Sequence, residues 1–425
     1  MNSADAAGTT APIDHVVVIN DFATARGGAT VIALESVKQY RRLGYPVTFI
    51  NGEASTAELD ALGVSVIGLD CAPLLEMPAI RALQIGMHNQ AAVDALAEWI
   101  GRHDTPRTVY HVHNWSQILS PAIYRALRPV EERVIATCHD FFNLCPNGGY
   151  FNYRASMPCE LRPLSAGCLT SQCDRRSSLH KYWRVLRQYY ANHLARFETS
   201  ASTFTFLHKG MQEKFVRSGF AARNVMTIPN PVEPWSSTRI EAETNTGFLF
   251  VGRIGRDKGA DLAIRAAREA GQRLTLVGSG EIGGDAAPDD PHINFVGWRD
   301  KDEIIEYART ARALIAPSRM IEPFGLVILE AAASGLPVIV SSHAFLAEDV
   351  KSQGLGSTFD ISEPGELTAL LKQFADDDEL TARMSTAGFN NAANLFLSPE
   401  DWISTFIDTF EKKLPQQQDV KVPAD

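Results

Sequence analysis

Residues 317–341 read PSRMIEPFGLVILEAAASGLPVIVS, and the organisation of the chain follows outward from them. An apolar run ending at Ala316 leads in as a short buried strand. Glu322 and Glu330 bracket PFGLVIL, alanines close a helix, and residues 338–340 form a second apolar run. Strand, loop, helix and strand in this order make a βαβ unit. Pro323 suits the first turn of that helix, and Gly335 followed by Pro337 stops it. Backbone amides near Phe324, Gly325 and Leu326 are then donors at the positive end of a helix, a geometry that binds phosphate. Gly325 allows close approach of a ligand. Glu330, farther along the helix, can accept a hydrogen bond from a ribose hydroxyl. Taken alone, it reads more simply as a surface acid on a core helix.

This stretch resembles the donor signature of the family 4 retaining glycosyltransferases. The residues that carry the likeness are the two glutamates, the Phe-Gly-Leu after the first and the alanines after the second. The resemblance implies a GT-B fold, two Rossmann-like doubly wound α/β domains facing a central cleft. It also implies a nucleotide-sugar held mainly by the C-terminal domain, with Glu322 at the catalytic centre.

The 425 residues suffice for two α/β domains with full cores. A net charge of -10 argues against a general nucleic-acid binder. No apolar run is long enough to span a bilayer. Residues 1–13 have neither a basic start nor an apolar core, so they read as a frayed tail, and a cytoplasmic protein is the default.

The first domain is expected over residues 14–232. Residues 15–20 (HVVVIN) form a buried strand, followed by a loop ending Arg26-Gly27-Gly28 and a helix over 29–43. A glycine pair after a first strand is most simply a tight turn. In the resembled family, Gly27 and Gly28 would lie beside the donor phosphates. Strands over 64–69, 108–112, 134–138 and 203–207, separated by helical patterns, complete a doubly wound alternation. Two of these strands end in polar clusters, one holding His113 and Asn114, the other His139 and Asp140. Polar residues just past a parallel strand sit at the ligand edge of the sheet, although a lone histidine there is usually structural. The resemblance gives His139 contact with the transferred sugar, and places His113, Asn114 and Asp140 on the acceptor side.

An insertion over residues 145–173 carries four of the six cysteines: Cys145, Cys159, Cys168 and Cys173. It is rich in Gly, Pro, Asn and Ser and shows no periodicity. Four thiolates can hold such a loop through a structural zinc ion or an iron–sulfur cluster, although the spacing lacks a two-residue pair. Disulfides and unlinked thiols are the alternatives. A helix over 175–196 mixes Lys181, Arg184, Arg187 and Arg196 with aromatic residues. It reads either as a half-buried helix with a solvated basic face or as a contact for an anionic acceptor or the inner face of a membrane.

The sequence IPNPVEP over 228–234 marks the domain boundary, with a polar linker at 236–246. The second domain is expected over 233–397. It opens with a strand followed by GRIGRDKG, in which Arg253 and Lys258 are two cations at a helix start. The resemblance makes them a diphosphate clamp that replaces a catalytic metal, so no cofactor is expected for catalysis. Gly278 and Ser279 end the next strand, near the nucleotide in the resembled family. With Gly280 and Gly283 they also fit a dinucleotide fingerprint, but no acid ends the following strand where a ribose partner would be needed. Residues 398–414 form an amphipathic helix that the resemblance sends back to the first domain, and 415–425 read as a tail.

The expected activity is retaining transfer of a sugar from a nucleoside-diphosphate donor to a hydroxyl on a glycan, lipid-linked intermediate or small molecule. Two other classes share the pattern. A sugar-nucleotide epimerase or hydrolase would act without an acceptor. A non-catalytic sugar-nucleotide-binding subunit should lack His139, Glu322 or the cation pair, and all are present.

Overall fold

The computed structural model describes residues 13–280 and 290–415. The tails expected at the two ends, and Glu281 and Gly283 of the glycine turn, lie outside the described residues. The chain divides into two compact units. The first takes in residues up to Gly148, Tyr182–Ile228 and the final segment from Pro399; the second takes in Gly149–Lys181 and Pro229–Ser398.

The fifteen strands of the described residues number in chain order. The first unit begins with β1 (His15–Asn20), β2 (Val47–Asn51), β3 (Ser65–Gly68), β4 (Thr108–Val112) and β5 (Val134–Cys138). After a hairpin of β6 (Phe151–Asn152) and β7 (Met157–Pro158), the first sheet resumes with β8 (Thr203–Phe206) and β9 (Val225–Thr227). Its strand order is β3-β2-β1-β4-β5-β8-β9, parallel at every pairing. β1 is buried on both faces, with Val16, Val17, Val18 and Ile19 all inaccessible, as expected of a central parallel strand covered by helices.

The second sheet comprises β10 (Phe248–Val251), β11 (Leu274–Val277), β12 (Ile293–Gly297), β13 (Ala313–Ala316), β14 (Val338–Ser341) and β15 (Gly356–Phe359). Its order is β12-β11-β10-β13-β14-β15, again parallel throughout. Phe248, Leu274, Ile339 and Phe374 belong to one buried cluster that joins this sheet to its helices.

Both sheets have a topological switch point, between β1 and β4 in the first and between β10 and β13 in the second. Ligands of open α/β sheets bind beyond the carboxyl ends of strands at such points. The sequence-predicted polar residues follow β1, β4 and β5 in one unit and β10 and β13 in the other. Two α/β units with parallel sheets are the GT-B architecture expected from the sequence.

Several local expectations change. The cysteine-bearing insertion is not featureless: β6 and β7 pair antiparallel, and a short helix spans Ala166–Thr170. Expected within the first domain, Gly149–Lys181 groups with the second unit. The supposed linker at 236–246 is packed: Ile240 and Ala242 are buried, and Arg239 pairs with Glu243 at 2.7 Å. The helix of the signature begins at Leu326, so Pro323 precedes it instead of occupying its first turn. Among the described residues, no helix is long and apolar enough to cross a membrane.

Candidate functional site

In the second unit, the loops after β10 and β13 are stitched together by backbone. The amides of Arg319 and Met320 donate to the Asp257 carbonyl at 3.0 and 3.2 Å. Arg319 clamps the Asp261 carboxylate at 2.6 and 2.8 Å. This joins GRIGRDKG to the signature stretch and brings Lys258 to Glu322, Nζ to Oε2 at 2.6 Å. Arg253 pairs with Asp257, one turn away along the chain. Burial alone would push the Asp257 carboxyl up. The hydrogen bond and charge of Arg253, with Lys258 beside it, outweigh burial and hold it below the usual carboxylate range. Each cation is thus held by its own carboxylate while keeping partial exposure.

The signature helix Leu326–Ala333 has Gly325 as its N-cap at φ 77°, a left-handed conformation that glycine adopts without strain. No side chain caps this end; the Ile328 amide donates to the Gly325 carbonyl at 3.0 Å, while the amides of Leu326 and Val327 have no partner among the described residues. Phe324 is buried and anchors the loop. At the far side of the helix, Ser334 Oγ donates to the Glu330 carbonyl at 2.7 Å and accepts from the amide of Trp235 at 2.8 Å. Burial pushes the Glu330 carboxyl up to about 7; Lys301 opposes that shift, Glu233 adds to it, and a side-chain hydrogen bond from Trp235 opposes it. Trp235, Lys301 and Ser334 therefore shape the surroundings of Glu330. None was singled out from sequence, because each acts through a tertiary contact with no local pattern.

Gly278 and Ser279 serve the backbone first. A Cβ on Gly278 would meet the Gly252 carbonyl oxygen at 1.9 Å, which explains the glycine. The Ser279 carbonyl accepts from the Ile254 amide at 2.9 Å. These bonds fix the height at which Arg253 leaves the sheet.

In the first unit, the expected histidines form a buried relay. His111, His113 and His139 are 0, 3 and 8% exposed. His113 Nδ1 lies 2.9 Å from His139 Nε2, and His113 Nε2 lies 3.1 Å from Ser36 Oγ. Ser36 donates its own proton to the Ala33 carbonyl at 2.7 Å. It must therefore accept from His113 Nε2–H, which leaves His113 Nδ1 as acceptor and His139 Nε2–H as donor. His139 Nδ1 is then a bare lone pair, and it is a buried atom with no partner among the described residues. Burial keeps the rings neutral: His139 and His111 titrate down near about 3, and His113 is also pushed well below its ordinary value. His111 sits behind them, bracketed by Tyr40 Oη at 3.1 Å and Thr137 Oγ1 at 2.9 Å. Ser36 and Tyr40 come from the helix Gly28–Arg42, whose N-cap is Gly27. Sequence reading missed both, since two hydroxyls on a helix carry no signal until the strands are laid beside them.

Asp140 caps the turn after β5, accepting from the Phe142 amide at 2.8 Å. Burial drives its carboxyl up to about 7, opposed by that amide, reinforced by Asp21 and opposed by Arg187. Asp21 itself accepts three amides, from Gln117, Ile118 and Leu119, at 2.7 to 2.9 Å, which holds the loop carrying His113. Asn114 is placed by its amide, which donates to Asn20 Oδ1 at 3.2 Å. Arg187 is buried, bonded to the carbonyls of Gly86 and Ser116 at 2.7 Å each and stacked over Trp115. Lys181 is buried as well. Two of the four cations read as a basic face are therefore internal, while Leu179, Tyr182, Leu186 and Tyr189 of the same helix are exposed.

The four cysteines of the insertion were expected to hold a structural metal ion or cluster. All six are free thiols, so no disulfide forms. Among the described residues, no group of three or more His, Cys, Asp or Glu side chains is arranged to hold a metal ion. Instead the Lys181 ammonium lies 3.1 Å from Cys173 Sγ and 3.6 Å from Cys168 Sγ, and a cation there opposes a second cation. Cys145 donates to Asn147 Oδ1 at 3.2 Å. Cys159 is held above its ordinary pKa, chiefly by burial.

Comparison with known proteins covers both units. The family described as "Glycosyl transferases group 1" matches residues 233–391, and "Glycosyl transferase 4-like domain" matches residues 27–231. Glycogen synthase of Mycobacterium tuberculosis is 30% identical over 188 residues, 41% of this chain and 44% of that protein. D-inositol 3-phosphate glycosyltransferase of Corynebacterium aurimucosum is 29% identical over 160 residues, 34% of this chain and 38% of that protein. The match thus spans less than half the length of these relatives. Among solved structures, sucrose-phosphate synthase of Thermosynechococcus elongatus aligns with TM-score 0.69 at 17% identity, covering 94% of this chain and 98% of the other. Anabaena HepE in complex with UDP-glucose aligns with TM-score 0.63 at 16% identity, covering 94 and 99%.

Proposed function

We propose that this chain, which belongs to the group 1 glycosyl transferases, moves a sugar with retention of configuration from a nucleoside-diphosphate donor to a hydroxyl acceptor. The observation that carries this reading is the pair of half-exposed cations Arg253 and Lys258, each tethered by a carboxylate beside the open N-terminal end of the signature helix. Negative charge builds on the departing diphosphate as the glycosyl bond breaks, and fixed cations there lower the barrier without a metal. Glu322 acts through Lys258, holding its ammonium in place. Glu330 takes the ribose hydroxyls. His139 offers its bare Nδ1 to a hydroxyl of the transferred sugar, an acceptor that is buried and otherwise unmatched. The departing phosphate takes the proton of the incoming hydroxyl, on the same face that it leaves. Gly27 and Gly28 border the donor phosphates, and Asn114 lies on the acceptor side. The acceptor is a glycan, a lipid-linked intermediate or a small molecule in polysaccharide or glycoconjugate synthesis.

HepE, a structural neighbour, is solved with UDP and with UDP-glucose, which makes UDP the first nucleotide to try. A thermal-shift series over nucleoside diphosphates should raise the midpoint for one base above the others. Release of the matching diphosphate from its sugar conjugate should then require an added acceptor. Turnover of the donor to a new sugar nucleotide without acceptor would favour an epimerase, and binding without turnover a non-catalytic subunit.

A further inference from the structure

A cavity of about 710 Å3 opens within the second unit, between the phosphate clamp and the inserted hairpin. Arg253 and Arg256 of the clamp loop line it, together with Arg154 and Arg175 and the rings of Phe151 and Tyr153. The volume is that of an ordinary small-molecule site. Its charge is not ordinary for a chain with a net charge of -10. Four guanidinium groups face one carboxylate, Asp257, and that carboxylate is already taken by Arg253. Neither Arg154 nor Arg175 makes an ion pair or a side-chain hydrogen bond among the described residues. Like charges gathered in this way repel one another unless an anion sits among them.

The hairpin is built to present Arg154. Asn152 Oδ1 accepts from the amides of Arg154 and Ala155 at 3.1 Å each, turning the chain at the tip between β6 and β7. The Tyr153 amide donates to the Cys173 carbonyl at 3.2 Å, which ties the hairpin to the segment that carries Arg175. Buried Phe151 meets Tyr153 edge to face at 5.2 Å and so holds the partly exposed Tyr153 ring at the cavity, where a sugar ring can lie against it. Arg154 belongs to the insertion and Arg175 lies just beyond it; neither is part of the donor signature, and the proposed diphosphate site already has Arg253 and Lys258.

We propose that the acceptor carries an anionic group of its own, a phosphate or a carboxylate, and that Arg154 and Arg175 bind it in this cavity. The proposal rests on the transferase reading above and narrows its substrate class. Guanidinium groups suit either anion through paired hydrogen bonds.

The test is calorimetric titration of the full chain saturated with UDP, using glucose 6-phosphate, glucuronate and neutral glucose as probes. At least one anionic sugar should bind tenfold or more tightly than glucose, and its affinity should fall as salt is raised. The double variant Arg154→Ala/Arg175→Ala should lose that advantage at least tenfold while binding UDP within twofold of wild type. Both arginines are exposed, so the variant should fold. Equal binding of glucose and both anions, no binding of either anion, or an unchanged double variant would each overturn the proposal. So would an equal loss of UDP and anion affinity, which would return both arginines to the donor. Failure of the wild type to bind UDP or any other nucleoside diphosphate would instead remove the transferase reading, and the acceptor assignment with it. Preference for glucose 6-phosphate over glucuronate, or the reverse, identifies the anion.

Discussion

The two sheets end in opposite chemistries. Beyond the second, Arg253, Lys258 and Glu322 keep 44, 30 and 23% of their side-chain surface and work as charges. Beyond the first, His111, His113 and His139 are buried and neutral, and work as hydrogen-bond partners of fixed polarity. The difference suits two tasks. Charge that grows on a leaving group is met best by charge that is already in place. A neutral sugar is oriented best by donors and acceptors whose protonation does not change with pH. Rings that titrate near about 3 keep their polarity throughout the physiological range.

The strongest way to break this comparison is to remove the charges. Arg253→Ala or Lys258→Ala should each cost about 2–4 kcal/mol of transition-state stabilisation, read as a loss in kcat/KM of roughly thirtyfold to a thousandfold. Both side chains sit on partly exposed loops, so the melting temperature should move little. Near-normal kcat/KM in both variants would remove the diphosphate assignment.

Next in size is the polarity of the histidines. Ser36→Ala removes the acceptor that sets the His113 proton and leaves a buried N–H unmatched, at a cost of about 1–3 kcal/mol in stability. With its anchor gone, His113 no longer holds His139 in the tautomer with a bare Nδ1. Turnover should fall roughly tenfold, a value typical of losing one neutral hydrogen bond, while UDP affinity stays near wild type. Nitrogen NMR of labelled histidines separates this from general loosening. Wild type should show His139 protonated at Nε2, and the variant a mixture. An unchanged tautomer alongside lost turnover would show that Ser36 matters only for packing.

How far these features were legible in sequence follows the same division. Cations and glutamates of the second unit lie on two short contiguous stretches, so the resemblance to a donor signature could be read from them. β1, β4 and β5 were found at their observed bounds because buried parallel strands are unbroken apolar runs. His113 and His139 were found because each directly follows a strand. Their interaction was not, since it joins residues 26 positions apart and depends on Ser36, 77 positions from His113. The surroundings of the cysteines were hidden on the same ground. Four cysteines in one loop suggested convergence, but Lys181, which lies against Cys168 and Cys173, comes from the helix that follows. Arg154 was passed over because a turn residue in an irregular segment has no periodicity to mark it.

The smallest predicted effect sharpens the contrast, because Glu330, the proposed ribose ligand, is a group of the second unit that titrates near neutrality. Its carboxyl lies at about 7 in the folded chain, above its ordinary value of 4.5. The sign for stability follows from that order. The protonated form is the one favoured by folding, so this group's contribution is complete below the ordinary value and is lost as the pH rises through 7. Glu330→Gln should therefore gain thermal stability over wild type at pH 8, and the gain should shrink as the pH falls toward 5. Nucleotide binding runs the other way. A ribose hydroxyl donates more strongly to a carboxylate than to a neutral acid, so ionised Glu330 is the binding form. Wild-type affinity for UDP should fall by a factor of about two to five between pH 8 and pH 6, on the scale of one hydrogen bond gaining or losing its charge. Part of any such change belongs to the terminal phosphate of UDP, and the Gln variant reports that part alone. The ribose role stands if the pH dependence of wild type exceeds that of the variant. Parallel curves would move Glu330 out of the nucleotide site and leave its raised pKa as a consequence of burial beside Trp235.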